Sequence, residues 1–261
     1  ATRVATHLHI SPSPRYLPSV IFRNVPAAKL ALVASRNAVF SSSVCIDLDQ
    51  LFEVRAVRDI RRMTIVSPRV VPAAKFGGTV VRLLNATGKG RLAFRSHAVE
   101  SLHVDFEGII GNRHRGWTRG ADARVPYLPR DTVMRNSRQL SLVSVEDCAE
   151  IARRLEIGAV EPAALGANVV ASGIAHFSFL PRATRLLFPG GAILSIEDQN
   201  APCSLAAEAL QLANPDKPHI KPAFVKAATG LRGLVATVEH PGQITNGSAF
   251  TARLPQQWIY E

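Results

Sequence analysis

Residues 139–158 read QLSLVSVEDCAEIARRLEIG and join a short apolar run to an amphipathic one. The run at 139–143 is typical of a short buried strand. Ser144 then offers a favourable N-cap, and Asp147 lies three residues further on, an acidic near-variant of the capping box. Because apolar residues then recur at helical spacing, the sequence predicts a strand leading directly into a helix, with Cys148 on its apolar face.

Short strand-like runs recur on both sides of this unit. They cover residues 79–84, 98–106, 168–171, 184–188, 192–196, 233–239 and 249–254. A long polar stretch at 108–130 has no clear periodicity, and we expect a functional loop there. Many short strands with a few helices are typical of a mainly β fold, so we expect a closed or nearly closed barrel over residues 76–261. Residues 1–75 are expected to form an irregular N-terminal extension.

The net charge of +11 is concentrated near the start of the chain. Residues 1–75 hold eleven Lys and Arg against four Asp and Glu, whereas residues 76–261 hold twenty against sixteen. The predicted domain is therefore only mildly basic. This argues against double-stranded nucleic acid as its main partner and leaves an anionic small ligand compatible. No apolar run approaches the roughly 18 residues of a membrane helix, so no membrane span is expected.

Residues 1–46 contain five basic residues, several serines and no Asp or Glu. This composition resembles a transit peptide, and a tail without a targeting role is the alternative. We expect a cytoplasmic protein, or a mitochondrial or plastid one if this segment is a targeting signal. The three cysteines of the chain lie far apart and include no C-x-x-C pair, which disfavours a zinc site or a disulfide framework.

The most informative single residue is Cys203, which follows an apolar run and the bend at Pro202. Proline fixes its own φ and removes a hydrogen-bond donor, so a thiol placed after it is presented on a turn. An ionised thiol there can act as a nucleophile, a soft metal ligand or a sulfur carrier. An inert buried thiol is the alternative. We expect the Cys203 thiol to be open to a ligand at a barrel mouth ringed by cations and amides.

A basic loop lies well upstream of this cysteine. Residues 111–116 read GNRHRG, and the glycines at both ends let the backbone bend closely around a ligand. Arg113 and His114 within it supply the positive charge and the donors that a phosphate or a carboxylate needs. A solvated basic loop without a ligand is the alternative interpretation.

Two amide- and arginine-bearing motifs lie between that loop and the cysteine. Arg138, in the sequence RNSRQ at 135–139, can clamp an anion bidentately, or it covers a barrel rim. Asn168 closes the sequence LGAN at 165–168. Its amide offers a donor and an acceptor to a heterocycle, or it ties down its own turn.

Several familiar catalytic signatures are missing from the sequence. It contains no G-x-G-x-x-G or G-x-x-x-x-G-K-[ST] motif for dinucleotide or P-loop binding, and no G-x-S-x-G elbow of a serine hydrolase. The histidines at positions 97, 103, 114 and 176 do not show metal-ligand spacing, which disfavours a histidine metal site.

Four motifs follow one another in the chain. They are GNRH at 111–114, RQLSL at 138–142, LGAN at 165–168 and NAPC at 200–203. In this order and spacing they resemble the MOSC domain, a family named after the C-terminal domain of molybdenum cofactor sulfurase. The resemblance covers about residues 76–255 and is closest to the small stand-alone members, with Cys203 where the family carries its cysteine. It implies a MOSC-type β-barrel.

The resemblance also implies binding of the molybdenum cofactor, an anionic pterin with a dithiolene and a phosphate. Cys203 would be the catalytic residue that ligates molybdenum or carries sulfur as a persulfide, and a soft thiolate suits such a sulfur-rich centre. The cofactor-binding residues that it implies are Arg113, His114, Arg138, Asn168 and Asn200.

The chain departs from the family at position 112, where Asn replaces the usual Asp of the first motif. Asn keeps an acceptor but loses the charge. If that carboxylate orients Arg113 or acts as a base, activity is in doubt here while cofactor binding survives. The pyridoxal phosphate chemistry of the full sulfurase belongs to its aminotransferase half, so no pyridoxal phosphate is expected in this chain alone.

Three functions are compatible with these motifs and this resemblance. The first is a molybdenum-dependent oxidoreductase that reduces N-hydroxylated compounds at a cysteine-ligated metal. The second is a sulfur-carrier module that hands persulfide sulfur from Cys203 to a partner or a metal–sulfur centre. The third is a non-catalytic domain that binds a pterin or another anion. An electron-donor or sulfur-donor protein is the expected protein partner, and no specific nucleic acid is expected.

Overall fold

The computed structural model describes residues 69–88 and 95–259. The predicted targeting segment at 1–46 lies outside the described residues, and so does nearly all of the predicted extension over 1–75. The extension, the domain boundary that ends it and the cytoplasmic location therefore stay predictions.

Fifteen strands and three α-helices make up the described fold. The strands are β1 (Arg69–Val71), β2 (Ala74–Asn85), β3 (His97–Val99), β4 (Ser101–Asp105), β5 (Gly108–Ile109), β6 (Thr118–Gly120), β7 (Val133–Arg135), β8 (Leu140–Ser144), β9 (Val169–Ser172), β10 (Arg185–Leu187), β11 (Ile193–Gln199), β12 (Leu234–His240), β13 (Gly242–Thr245), β14 (Ala249–Leu254) and β15 (Gln257–Ile259). The helices are α1 (Val145–Arg154), α2 (Ser204–Leu212) and α3 (Ile220–Ala228), and two 3₁₀ turns lie at Pro162–Leu165 and Phe177–Phe179.

Seven of these strands close into a barrel. Their order is β2, β9, β8, β12, β11, β10, β14 and back to β2. Neighbouring strands run antiparallel, except β8 and β9, which are parallel. A parallel pair needs a crossover connection, and α1 lies in the chain between these two strands. The predicted mainly β barrel with a few helices is confirmed.

The strand-to-helix unit around residue 144 is also confirmed. Ser144 is the N-cap of α1, and its Oγ accepts a hydrogen bond from the Asp147 backbone N–H at 3.0 Å. Acidic residues in the first turn and basic residues in the last turn complement the helix dipole. The apolar face of the helix buries Cys148 and Ile151, as the spacing of apolar residues predicts.

The sequence predicts a few helices but locates only α1, and it misses the two helices after Cys203, α2 and α3, which pack on one another. Several prolines and lysines lie between residues 213 and 222, and they interrupt the apolar periodicity that would indicate two helices in the sequence. Pro222 lies in the first turn of α3, where a backbone N–H has no helical partner to lose. No helix within the described ranges has the length and apolar character to cross a bilayer.

Buried apolar side chains form two clusters on opposite faces of the barrel wall. One cluster fills the barrel and includes Leu142. The other includes Val143 and Cys148, and it packs the helices against the outside of the barrel. Leu142 and Val143 are neighbours on β8 and point to opposite faces, as strand alternation requires. The strand β8 therefore closes the barrel and supports the helices at the same time.

The polar stretch at 108–130 is not structureless. It contains β5, which pairs with β4, and β6, which pairs with β7. The single strand predicted over residues 98–106 is in fact two strands, because the chain leaves strand geometry at Glu100 between β3 and β4. Local sheet pairing thus gives the polar stretch a defined course past the barrel wall.

Candidate functional site

The candidate site lies against the outer face of the barrel wall. Ser141 on β8 and Val235 on β12 are opposite each other in the ladder, and both line a cavity of about 390 Å³. Leu142 and Leu234, their neighbours along the strands, belong to the cluster inside the barrel. Alternation therefore directs Ser141 and Val235 outward. Leu140, which belongs to the cluster inside the barrel, also lines the cavity, so the expectation of a site at the barrel mouth stays a prediction.

Cys203 is positioned by the connection from β11 into α2. It is the N-cap of α2, in an extended conformation (φ −137°, ψ 163°), and its side chain makes no capping hydrogen bond. The thiol is partly exposed and lines the cavity. Cys148, in contrast, is buried, and this burial raises the pKa of its thiol to about 12. Of the cysteines in the described residues, Cys203 is therefore the one that a ligand can reach.

Cations dominate the lining of this cavity. The six arginines in it are Arg113, Arg115, Arg119, Arg124, Arg138 and Arg232. Asp122 is the single carboxylate in the lining, and it pairs with both Arg119 and Arg124. Two carboxylates outside the cavity pair with Arg115. The other three arginines have no carboxylate partner in the described part of the chain, so the cavity carries unpaired positive charge.

A chain of hydrogen bonds orients Arg138. Its Nη2 donates to Asn200 Oδ1 at 2.6 Å, and Asn200 Nδ2 donates to Ser141 Oγ at 3.0 Å. The Asn200 backbone N–H donates to the Gly233 carbonyl oxygen, which fixes this amide just past the end of β11. Burial, helped by repulsion from neighbouring arginines, lowers the pKa of Arg138 to about 10. The guanidinium therefore remains charged at neutral pH.

Arg232 is the most deeply buried cation of the cavity, with 5% of its surface exposed. Its Nη2 donates to the Leu165 carbonyl oxygen, whereas Nε and Nη1 have no hydrogen-bond partner in the described chain. Burial lowers the pKa of Arg232 to about 10, and the nearby sulfur of Cys203 opposes this shift. Because unpaired buried donors are rare in folded proteins, the two free N–H groups indicate a missing acceptor.

Gly233 fixes the backbone that carries Arg232. Its φ is +87°, and a Cβ at this position would lie 1.9 Å from the Leu142 carbonyl oxygen, so only glycine fits. The Gly233 N–H donates to Ser178 Oγ, which in turn donates to Asp147 Oδ2 at 2.6 Å. A buried network that begins in the first turn of α1 thus holds the start of β12 in place.

Two asparagines shape the basic loop. Asn112 Oδ1 accepts a hydrogen bond from the His114 backbone N–H at 2.8 Å, and its Nδ2 donates to Asn85 Oδ1 at 2.7 Å. Asn136 Nδ2 donates to the carbonyl oxygens of His114 and Gly116. Asn112 is buried and does not line the cavity. This chain carries Asn112 where the family usually has Asp. The difference therefore affects a contact that holds the loop and not a group in the cavity lining.

His114 is a neutral imidazole at physiological pH. Crowding by protein atoms lowers its pKa to about 4, and repulsion from Arg113 and Arg138 acts in the same direction. The ring nevertheless has solvent-accessible surface in the cavity. A neutral ring offers one donor and one acceptor. An anion bound beside it would favour the protonated form and raise this pKa.

Asn168 is held by the backbone of two strands. Its Oδ1 accepts from the Ser141 backbone N–H at 2.9 Å, and its Nδ2 donates to the Leu84 carbonyl oxygen at 3.3 Å. The residue is 2% exposed, although it borders the cavity. Its amide therefore links the end of β2, the strand β8 and the start of β9. Contact between this amide and a heterocycle stays a prediction.

The cavity brings together all six site residues that the sequence singles out. They are Arg113, His114, Arg138, Asn168, Asn200 and Cys203. Their roles towards a cofactor stay predictions. The lining also contains residues that sequence reasoning missed, among them Arg119, Arg124, Ser141 and Arg232. A signal for Arg232 exists in the sequence, because a charged residue and a glycine directly precede the apolar strand β12.

Known proteins support this picture of the fold and the family. A sequence model of the MOSC domain matches residues 129–251. The Bacillus subtilis (strain 168) protein YuaD, whose name assigns it provisionally to metal-sulfur cluster biosynthesis, is 41% identical over 155 residues, which cover 59% of this chain and 81% of YuaD. The chain belongs to the MOSC domain family. The predicted family is thereby confirmed.

The fold of this MOSC protein also resembles solved structures. The crystal structure of YuaD from Bacillus subtilis matches with a TM-score of 0.68 and 36% identity, over 70% of this chain and 98% of the YuaD chain. YiiM from Geobacillus stearothermophilus matches with a TM-score of 0.46 and 16% identity, over 70% of this chain and 75% of YiiM. The YuaD match shows that nearly the whole of a small MOSC protein corresponds to part of this chain.

Proposed function

We propose that this MOSC domain binds the molybdenum cofactor and that the Cys203 sulfur is a ligand of its metal. One observation carries the proposal: the partly exposed Cys203 side chain shares a cavity with three arginines that lack carboxylate partners in the described chain. Guanidinium groups suit the phosphate of such a cofactor. A thiolate suits its soft, sulfur-rich metal centre. The two halves of the ligand thus have matching chemistry in the same cavity.

The residues that line the cavity have the chemistry to hold the molybdenum cofactor. Arg232 Nε and Nη1 are buried donors without a partner in the described residues, and an anionic ligand would supply the acceptors that they lack. A cavity of about 390 Å³ falls within the range of roughly 300–1,000 Å³ that small-molecule sites occupy. Within 69–88 and 95–259, no group of three or more His, Cys, Asp or Glu is arranged to hold a metal. The dithiolene of the cofactor would supply soft sulfur ligands to the metal alongside Cys203.

The chain's own residues divide the work of binding. Arg113, Arg138 and Arg232 would hold the anionic oxygens, and Cys203 would hold the metal. The cofactor supplies a redox-active centre, and the reduction of N-hydroxylated compounds is the reaction that the family resemblance implies. Neutral His114 can donate a proton from one ring nitrogen and accept one at the other. An electron-donor protein as partner completes this proposal.

The molybdenum content of the purified protein tests the proposal. We expect about one molybdenum atom per chain from a host that makes the cofactor, and none from a host that lacks its synthesis. Cys203→Ser should lower the content, whereas Cys148→Ser, the matched change at a buried thiol, should leave it unchanged. A molybdenum-free protein from the competent host would contradict the proposal and favour a non-catalytic anion-binding domain.

A second candidate is a sulfur carrier that holds a persulfide on Cys203. The isolation of this thiol favours it, because its side chain caps no helix N–H and the other described cysteine is buried. A persulfide in such a position has no accessible thiol of the described chain to attack it. The name of YuaD, which refers to metal-sulfur cluster biosynthesis, is compatible with this candidate. A mass increase of about 32 Da on Cys203 after exposure to a sulfur donor tests it.

A further inference from the structure

The charge of the cavity restricts which sulfur donor can reach Cys203. We propose that Cys203 takes sulfur from a small anionic sulfane-sulfur donor of the thiosulfate class, bound through Arg232 and the neighbouring unpaired arginines. This inference rests on the sulfur-carrier candidate and does not require molybdenum. It names the class of donor that the cavity is built to admit.

Access to the thiol is the first requirement. The thiol is partly exposed and faces a cavity whose lining holds six arginines and one carboxylate. Acids neutralise three of these arginines, and the remaining three have no such partner in the described chain. A donor that carries oxyanion oxygens gains charge-assisted hydrogen bonds there. A cationic donor would be repelled, and a neutral one would leave the buried positive charge uncompensated.

The second requirement is a fixed set of unpaired donors near the sulfur. Arg232 lies in the same lining as Cys203, is more than nine-tenths buried, and has two N–H groups without acceptors in the described residues. Its third nitrogen is occupied by the Leu165 carbonyl oxygen, which fixes the guanidinium in place. A fixed cation with free donors beside a nucleophile is a preorganised site for an anion that reacts with that nucleophile.

The transfer that follows is a balanced exchange at sulfur. The Cys203 thiolate attacks the outer sulfur of thiosulfate, and a new S–S bond forms. The S–S bond of thiosulfate breaks, and its electron pair leaves with sulfite. The products are a persulfide anion on Cys203 and one sulfite, so no further oxidant or reductant is consumed. Negative charge grows on the leaving sulfite during this step, and the arginine N–H groups can stabilise it.

The test begins with thiosulfate and the full chain in its reduced form. Peptide mass spectrometry should show about 32 Da added to Cys203 and none added to Cys148, with one sulfite released per persulfide. A neutral dialkyl trisulfide serves as the comparison donor. For each thiol, the rate of persulfide formation with thiosulfate is divided by the rate with the trisulfide. We expect this ratio to be at least tenfold larger for Cys203 than for a small free thiol.

Arg232→Met isolates the role of the buried cation. The first readout is the rate of Cys203 alkylation by anionic iodoacetate divided by the rate with neutral iodoacetamide, and this ratio should fall at least fivefold in the variant. The second readout is the rate of persulfide formation from thiosulfate, which should fall at least tenfold. The ratio cancels any change in the intrinsic reactivity of the thiol. Arg153→Met, which removes the same charge from an exposed face of α1, should change both quantities less than twofold. Arg113→Met, on the exposed loop, gives the same readout if Arg232→Met does not fold.

Two results would overturn the inference. One is iodoacetamide labelling of Cys203 without any persulfide from thiosulfate. The other is a selectivity ratio that Arg232→Met, or in its place Arg113→Met, leaves unchanged. The cofactor proposal fails separately: persulfide formation in a protein that never binds molybdenum leaves the sulfur-donor inference standing. Stoichiometric molybdenum without persulfide formation supports the cofactor proposal and overturns the sulfur-donor inference.

Discussion

Arg138 is held by Asn200: the guanidinium Nη2 lies 2.6 Å from the amide Oδ1. The same amide donates to Ser141 Oγ on the barrel wall, so the arginine is tied indirectly to β8. A neutral amide orients the guanidinium without cancelling its charge. The remaining donors of Arg138 are therefore available to an anion in the cavity.

Asn200→Asp tests whether this neutrality matters. The carboxylate should keep the geometry of Arg138 but neutralise its charge, because the two groups would form an ion pair. We expect phosphate or cofactor affinity to fall about tenfold, roughly 1.4 kcal/mol, in calorimetric titrations. An affinity equal to that of the native protein would show that Arg138 does not contact the anion.

Arg138→Ala should weaken cofactor retention by about 1.5–3 kcal/mol, because a hydrogen bond between charged groups is lost. The measurement is the fraction of bound cofactor that survives dialysis. Arg153→Ala, an exposed arginine paired with Glu150 on α1, is the matched control and should retain the cofactor fully. A loss no greater than in this control would identify Arg138 as a surface residue of the cavity rim.

Gly233→Ala should destabilise the fold by about 2 kcal/mol or more. The added Cβ meets the Leu142 carbonyl oxygen, and the positive φ is strained for alanine. Urea unfolding measures the loss. Gly158→Ala is the control, since nothing lies within 4 Å of its added Cβ, and we expect no loss of stability there. Equal stability of the two variants would mean that the start of β12 is not fixed as described.

The part of the fold that follows from sequence is the part that local patterns determine. Alternation predicts most barrel strands, and the Ser144 cap with its apolar spacing predicts α1. The helices α2 and α3 escape this reasoning because their packing against the barrel, rather than a clean sequence boundary, defines them. The placement of the cavity on the outer wall also depends on the ladder between β8 and β12, which no local pattern reveals.

The candidate site divides in the same way. Arg113, Arg138 and Cys203 stand out in the sequence because each belongs to a motif. Arg232 belongs to none, and its importance comes from burial and from two donors without acceptors. These properties exist only after the chain has folded. Sequence reasoning therefore identifies the cavity residues that belong to motifs and misses its buried cation.

The titration of His114 reports on anion binding. The folded pKa of His114 is about 4, below the ordinary value of 6.5. Between pH 4 and 6.5 the unfolded state therefore binds more protons than the folded state. The contribution of His114 to stability falls as the pH falls from 6.5 to 4. A bound anion should raise this pKa. NMR titration of the ring with and without phosphate checks the shift, and His114→Gln should abolish the signal. An unchanged pKa would place the anion away from His114.

Asn112→Asp restores the residue that the family usually carries. We expect it to cost about 1 kcal/mol or less, because the carboxylate still accepts from the His114 N–H and the Asn85 amide can turn to donate. Asn112→Leu loses both hydrogen bonds and should cost about 2 kcal/mol. Thermal or urea unfolding of the two variants compares them. A larger loss for Asp than for Leu would contradict the loop-holding role of this position.

X-ray absorption at the molybdenum edge tests most directly whether Cys203 ligates the metal. For protein from a cofactor-competent host, we expect a metal–sulfur shell that loses one sulfur in Cys203→Ser and keeps it in Cys148→Ser. A sulfur shell that is identical in the native protein and in Cys203→Ser would contradict this ligation.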